Sequence, residues 1–268
     1  MDIHDFENIV RTSGLVTFPV AGSGLTLDLS LHHERLYACK LLLNVRYPQA
    51  DIDTMLIKRF VLPNDSVLDA GANIGFTCLE FVAAGARKIT AVEPASALFH
   101  RLSTLSHERI VPISCAISSQ RGMQSLTLST IHNQGSSLKE EIRALFPQVF
   151  GADPEVETVR VTTIDDLCDE HGPFDIWKLD IEGAEVDALL GAKKTLQENA
   201  PRVIVAELYG PFYQAFANEV KDTHPFAYRA LIRHADYALA LINPDDALDD
   251  TYYQHSPMYV FCRKATST

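Results

Sequence analysis

Residues 67–75 read VLDAGANIG, a short apolar run interrupted by Asp69 and followed by Gly71, Asn73 and Gly75, and the apolar stretch FTCLEFVAAG comes next. This is a strand passing through a tight turn into a helix. Glycine lets the backbone bend there and come close to a ligand, and the first turn of the helix offers N–H groups with no partner of their own. By itself the stretch points to a nucleotide-like ligand, with plain turn chemistry as the lesser alternative.

Working outward, KITAVEP (88–94), IVPISCAIS (110–118), FDIWKLDI (174–181) and RVIVAELY (202–209) read as further short apolar strands. Helical stretches lie between most of them, among them AEVDALLGAKKTLQEN, where Val186, Leu189, Leu190 and Leu196 form one stripe. Continuous apolar strands separated by helices predict a parallel sheet covered on both faces, so the fold class is α/β, doubly wound and Rossmann-like. An insertion at about 119–165 carries two strand-like segments, SLTLST and TVRVTT. YALALIN and MYVFCRK predict an antiparallel hairpin at the sheet edge. Ahead of the core, Val16, Phe18 and Val20, then AGSG, then Leu25, Leu27, Leu29 and Leu31 alternate as a β-hairpin does. It fits a lid, an element through which copies pair as a homo-oligomer, or an added edge. Ile52, Met55, Leu56 and Phe60 then fall at helical spacing. The expected division is an extension over 1–62 and a main domain over 63–268.

The composition fits this plan. The 268 residues are 47% hydrophobic and 22% charged, enough to bury a large core. A net charge of -12 opposes binding to a phosphate backbone, so no nucleic acid partner is expected. No apolar run approaches the ~20 residues of a membrane span. The N-terminal MDIHDFENIVRTSG has acids where a signal peptide is basic, and the five cysteines form no CxxC pair. Free thiols in a reducing, cytoplasmic setting are expected. The ten histidines form no ligand-spaced pair, so no dedicated metal site is expected.

Two groups of residues carry chemistry. Glu93 ends the second strand about 20 residues beyond the glycine turn, where a carboxylate can bind both hydroxyls of a ribose. The glycines fall as GxNxG and not GxGxxG, which leaves none for the pyrophosphate turn of a dinucleotide and suits a ligand with an amino acid tail near Asp69. The second group is KLDIEGAE, in which Lys178, Asp180 and Glu182 share one side of a strand near its carboxyl end, while Glu207 ends the adjacent strand. Lys178 beside Asp180 also reads as a structural ion pair, and Glu185 as a residue favouring the start of the next helix.

At these motifs the sequence resembles the FkbM family of methyltransferases. VLDAGANIGFTCLE, AVEP, TTIDDL, WKLDIEGAEVDALLGA and VIVAEL occur in order between Val67 and Leu208. The resemblance implies S-adenosyl-L-methionine as cofactor, a seven-stranded sheet ordered 3-2-1-4-5-7-6, and O-methylation of sugars, glycans or polyketide-type natural products. It would seat the methionine moiety at Gly71, Ala72, Asn73 and Gly75 beside Asp69, the ribose at Glu93 and Pro94, and the adenine near Ala116 and Ile117. The stretch Gly135 to Leu138, including Ser136, would close over the cofactor or form a loose serine-rich loop.

For the acceptor, a hydroxyl must lose its proton as the new bond forms. Asp180 and Glu207 are the candidate bases and Lys178 an orienting or basic partner. The two carboxylates could instead hold Mg²⁺, although two acids are few for a divalent ion and this is not the favoured reading. The competing functions are a catalytically silent cofactor-binding protein and an NAD-dependent oxidoreductase. Intact KLDIEGAE argues against the first and GxNxG against the second.

Overall fold

The structure, a computed structural model, describes residues 14–129, 135–151, 153–210, 212–254 and 257–266. The expected hairpin is formed by β1 (Leu15–Val20) and β2 (Ser23–Asp28), and Leu25 and Leu27 are fully buried beneath it. Helices α1 (His32–Leu43) and α2 (Pro48–Phe60) follow. Pro48 opens α2, where its missing N–H is not needed and its fixed φ suits a first turn.

Strands and helices then alternate through β3 (Ser66–Ala70), α3 (Phe76–Ala83), β4 (Lys88–Val92), α4 (Ser96–Ser103) and β5 (Ile110–Ile113). The expected third strand is shorter than the run 110–118. Its tail leaves the sheet as β6 (Ala116–Ile117), which pairs with the insertion strands. These are β7 (Gly122–Thr127), followed by α5 (Glu140–Leu145) and α6 (Pro147–Phe150), and β8 (Val156–Thr162). Pro112 sits in β5 without harm because β5 is an edge strand of the main sheet.

The chain continues through α7 (Ile164–His171), β9 (Ile176–Leu179), α8 (Glu185–Leu190), α9 (Lys193–Glu198) and β10 (Val203–Glu207). The stripe expected to form one helix is two, because Gly191 lies against β6: a side chain there would begin 2.3 Å from the Ser118 carbonyl oxygen. Last come α10 (Phe212–Val220), β11 (Phe226–Ile232), β12 (Leu239–Ile242) and β13 (Met258–Cys262).

The main sheet is ordered β5-β4-β3-β9-β10-β13-β11-β12, parallel from β5 to β10 and antiparallel beyond. The first seven strands in that list have the expected 3-2-1-4-5-7-6 order, and β12 adds an eighth at the edge. The expected pairing of YALALIN with MYVFCRK is not what forms. β11, a strand the sequence reading does not contain, lies between them, and β13 inserts between β10 and β11. A hairpin needs a short connection, and the long acidic segment between these two strands instead lets the chain cross over β11.

The N-terminal extension shares the core of the main domain. Leu25, Leu27 and Leu29 pack with α3, α4 and β4, and Ile52, Leu56 and Phe60 of α2 cover Val203, Val205 and Val260 of the sheet. The opposite face is covered by Leu189, Leu196, Phe216 and Val220. A buried ion pair fastens the extension. Glu34, 0% exposed, takes Arg101 on both oxygens at 2.8 and 2.6 Å, and it also accepts the Asp28 N–H at 2.5 Å. Arg101 donates further to the Thr26 carbonyl at 2.7 Å.

Removing one partner strands a buried charge. Arg101→Met should therefore lower unfolding free energy by about 3–5 kcal/mol, measured by urea denaturation. The double variant Glu34→Leu/Arg101→Met should recover a large part of that loss.

Candidate active site

The carboxyl ends of β3, β4, β9 and β10 open on a cavity of about 330 Å³. Gly71 makes the approach of β3 to β9 geometrically possible. It sits at φ +79°, and a Cβ there would lie 1.8 Å from the Asp180 carbonyl oxygen. Asn73 is also left-handed at φ 51°, and its side-chain oxygen accepts the N–H of Ile74 at 2.8 Å. Gly75 caps α3, and its missing side chain leaves room for Leu102 and Leu105.

Glu93, just past β4, has Oε2 on the Asn73 N–H and Oε1 on the Ala95 N–H, both at 2.9 Å. Burial pushes its carboxyl up to about 7 despite these donors. Gly71, Ala72, Asn73, Glu93, Pro94, Ala116, Ile117, Ser136 and Asp180 all line the cavity. Asp69 and Gly75 stand behind the wall. The fully buried Asp69 accepts Thr77 Oγ1 at 2.7 Å and Cys78 Sγ at 3.1 Å on one oxygen, while the other lies 3.9 Å from Lys178 Nζ without a hydrogen bond.

All three residues expected to act on the acceptor line the same cavity. Lys178 Nζ donates to Asp180 Oδ2 at 2.9 Å. Burial works against its charge, but Asp180, Asp69 and Asp53 together hold the ammonium well above its ordinary range. Glu207 accepts Tyr209 Oη at 2.9 Å. Glu182 joins them, and one carboxylate oxygen from each of Asp180, Glu182 and Glu207 lies within 4.8 Å of the others. The set is thus three acids, one more than the pair weighed from sequence for a divalent ion. Burial, with Asp180 and Glu185 nearby, pushes the Glu182 carboxyl well above the usual carboxylate range.

Glu185 has a holding role. Its Oε1 accepts the N–H groups of Ile181 at 3.0 Å and Gly183 at 3.2 Å, bracing the β9–α8 loop. The insertion closes on that loop, for Ser137 Oγ donates to the Glu182 carbonyl at 2.6 Å, and Ile142 fills the space a Gly183 side chain would need.

The sequence reading missed the wall supplied by the extension, where His33, Tyr37, Gln49, Ile52 and Asp53 line the cavity. The available signal was an acid, Asp53, at the border of the apolar stripe of α2, which was read only as a packing face.

An open sheet with a ligand cavity across four neighbouring carboxyl ends, a glycine turn after one strand and an acid after the next, defines a nucleoside-binding α/β protein of methyltransferase strand order. Residues 69–239 match the model of the methyltransferase FkbM domain, and the chain belongs to that family of S-adenosylmethionine-dependent methyltransferases. Among solved structures it is similar to the methyltransferase FkbM from Methylobacillus flagellatus KT, at 16% identity and a TM-score of 0.51, over 87% of this chain and 53% of that one. It thus spans about half the length of that relative, and the likeness is one of fold. Weaker similarities are to TYW2 of M. jannaschii in complex with AdoMet (11% identity, TM-score 0.43, 94% of this chain and 86% of that one) and to an Agrobacterium tumefaciens SAM-dependent methyltransferase (10%, 0.43, 94% and 71%). The comparison with curated proteins finds no match. Among the described residues no helix is long and apolar enough to cross a membrane.

Burial holds the Glu185 carboxyl at about 7 in the folded chain, above its unfolded value near 4.5. A raised folded pKa means stability present below the unfolded pKa that is lost as pH rises through the folded one. Glu185→Gln keeps the accepting oxygen and removes the titration. Relative to the parent, its melting temperature should rise progressively between pH 5 and pH 8, read from thermal unfolding at stepped pH.

Proposed function

We propose that the chain is an O-methyltransferase that carries the methyl group of S-adenosylmethionine to a hydroxyl of a sugar, either an activated sugar or one within a glycan or a glycosylated polyketide-type product. The observation that carries this reading is that one cavity joins Glu93 and the glycine turn to Asp180, Glu182 and Glu207 beside a buried ammonium. The wall suits the cofactor. The turn at Gly71 presents bare backbone, the Glu93 carboxylate is oriented by two backbone donors for the ribose hydroxyls, and Ala116 and Ile117 offer apolar surface for the adenine. Ser136 and its neighbours form the cover. The buried free cysteines fit a reducing, cytoplasmic setting.

When bound, S-adenosylmethionine supplies a methyl group already activated by a positively charged sulfur. The residues of the chain align the acceptor oxygen, which can supply several kcal/mol, and receive its proton. Asp180, oriented by Lys178, and Glu207, oriented by Tyr209, are the carboxylates for that transfer. The grouping of three carboxylates supports a second reading in which Asp180, Glu182 and Glu207 would hold Mg²⁺, which would supply Lewis-acid chemistry toward the acceptor hydroxyl.

Calorimetric titration should show binding of S-adenosylhomocysteine and none of NAD; the reverse pattern overturns the cofactor assignment. Glu93→Ala should weaken that binding by about 1–3 kcal/mol while the protein stays folded.

Asp180→Asn and Glu207→Gln, assayed on sugar acceptors with and without EDTA, should each lose about 10²- to 10⁴-fold in turnover with cofactor binding and melting temperature kept. Sensitivity to EDTA would select the metal reading. Unchanged turnover in both variants would remove the two carboxylates from the mechanism.

A further inference from the structure

The sequence reading expects the amino acid tail of the cofactor near Asp69, but Asp69 is committed elsewhere. One oxygen is taken by Thr77 and Cys78, and the residue does not reach the cavity wall. A different carboxylate does. Asp53, on α2 of the N-terminal extension, lines the cavity beside Gly71, Lys178 and Asp180, and it accepts no hydrogen bond from any described residue. It lies outside the segment that matches the family, residues 69–239.

Asp53 is half-buried, and its carboxylate faces the cavity with no donor from any described residue, so it is open to a ligand group that can donate to it. Lys178 does not supply the donor: its ammonium hydrogen-bonds Asp180 at 2.9 Å and lies 3.9 Å from Asp69, with no hydrogen bond to Asp53. The charged groups acting most on Asp53 are Lys178, Asp180 and Asp69 near the glycine turn and Glu80 on α3. Burial, opposed by Lys178 and reinforced by the three acids, pushes its carboxyl up to about 7. A cationic ligand group would draw it into its charged form, whereas a neutral hydroxyl would do so far less.

We propose that Asp53 receives the α-ammonium of the cofactor's amino acid tail, so that the N-terminal helix pair completes the cofactor site of the methyltransferase domain. This rests on the cofactor reading above. It also gives the docking of the extension through Glu34 and Arg101 a consequence, because that docking holds α1 and α2 at the cavity.

The test is calorimetry on the full chain with two ligands. S-adenosylhomocysteine carries the tail, and 5′-methylthioadenosine carries the same nucleoside and sulfur without it. Asp53→Asn should weaken S-adenosylhomocysteine binding about tenfold or more and leave 5′-methylthioadenosine binding unchanged. In the parent, S-adenosylhomocysteine lacking its amino group should lose affinity by a similar factor, a measurement that needs no variant to fold. Undiminished binding of S-adenosylhomocysteine to Asp53→Asn overturns the proposal, as does equal loss of both ligands. So does a raised acceptor KM with cofactor binding intact, which would place Asp53 with the acceptor. A parent protein that binds neither ligand overturns the cofactor reading itself, an outcome distinct from the others.

Discussion

The Lys178 ammonium, 3% exposed in the middle of the sheet, is the charge around which the site is arranged. A buried cation is tolerated only when opposite charge and hydrogen bonds replace water, and Asp180, just past β9, and Asp69 of β3 lie 2.9 and 3.9 Å from it, with the charge of Asp53 from α2 adding to theirs. Asp69 is held in turn by Thr77 and Cys78 of α3. The ion cluster therefore ties two central strands to the helices that cover them.

Around this centre, absence of side chains matters as much as their presence. Gly71 allows contact between the ends of β3 and β9, and Gly183 receives Ile142 from the insertion. The second contact, with the Ser137 bond to the Glu182 carbonyl, fixes the cover of the cavity to the loop that carries two of its acids. Glu185 braces that loop from below through two backbone N–H groups.

The extension is part of the same machine. Its hairpin and helices share cores with β4, α3, α4 and the sheet beyond β10, and the buried Glu34–Arg101 pair fastens it. A family match over 69–239 contains the glycine turn and the carboxylates Asp180, Glu182 and Glu207 but not the wall that α1 and α2 contribute.

Much of this was legible in the residues themselves. The alternation of apolar strands with helical stripes prescribes a doubly wound sheet, because each short strand must be covered on both faces, and the GxNxG turn with Glu93 marks the ligand edge of that sheet. The period of two in KLDIEGAE puts Lys178 and Asp180 on one side, but β9 ends at Leu179 and Glu182 is brought to the group by a turn in which it is left-handed at φ 53°, not by strand alternation. What local pattern cannot encode is which distant segments meet. FAYRALI carries no clean alternation, so β11 and the insertion of β13 beside it emerge only from pairing between strands remote in sequence. The same holds for Gly191 against Ser118, which divides an apparently continuous helix, and for Asp69, whose partners lie on the next helix and a distant strand. Asp53 is the sharpest instance. In the sequence it is one acid bordering a packing stripe, and only the docking of α2 over the carboxyl ends of β3 and β9, driven by apolar burial elsewhere along that helix, turns it toward the cavity.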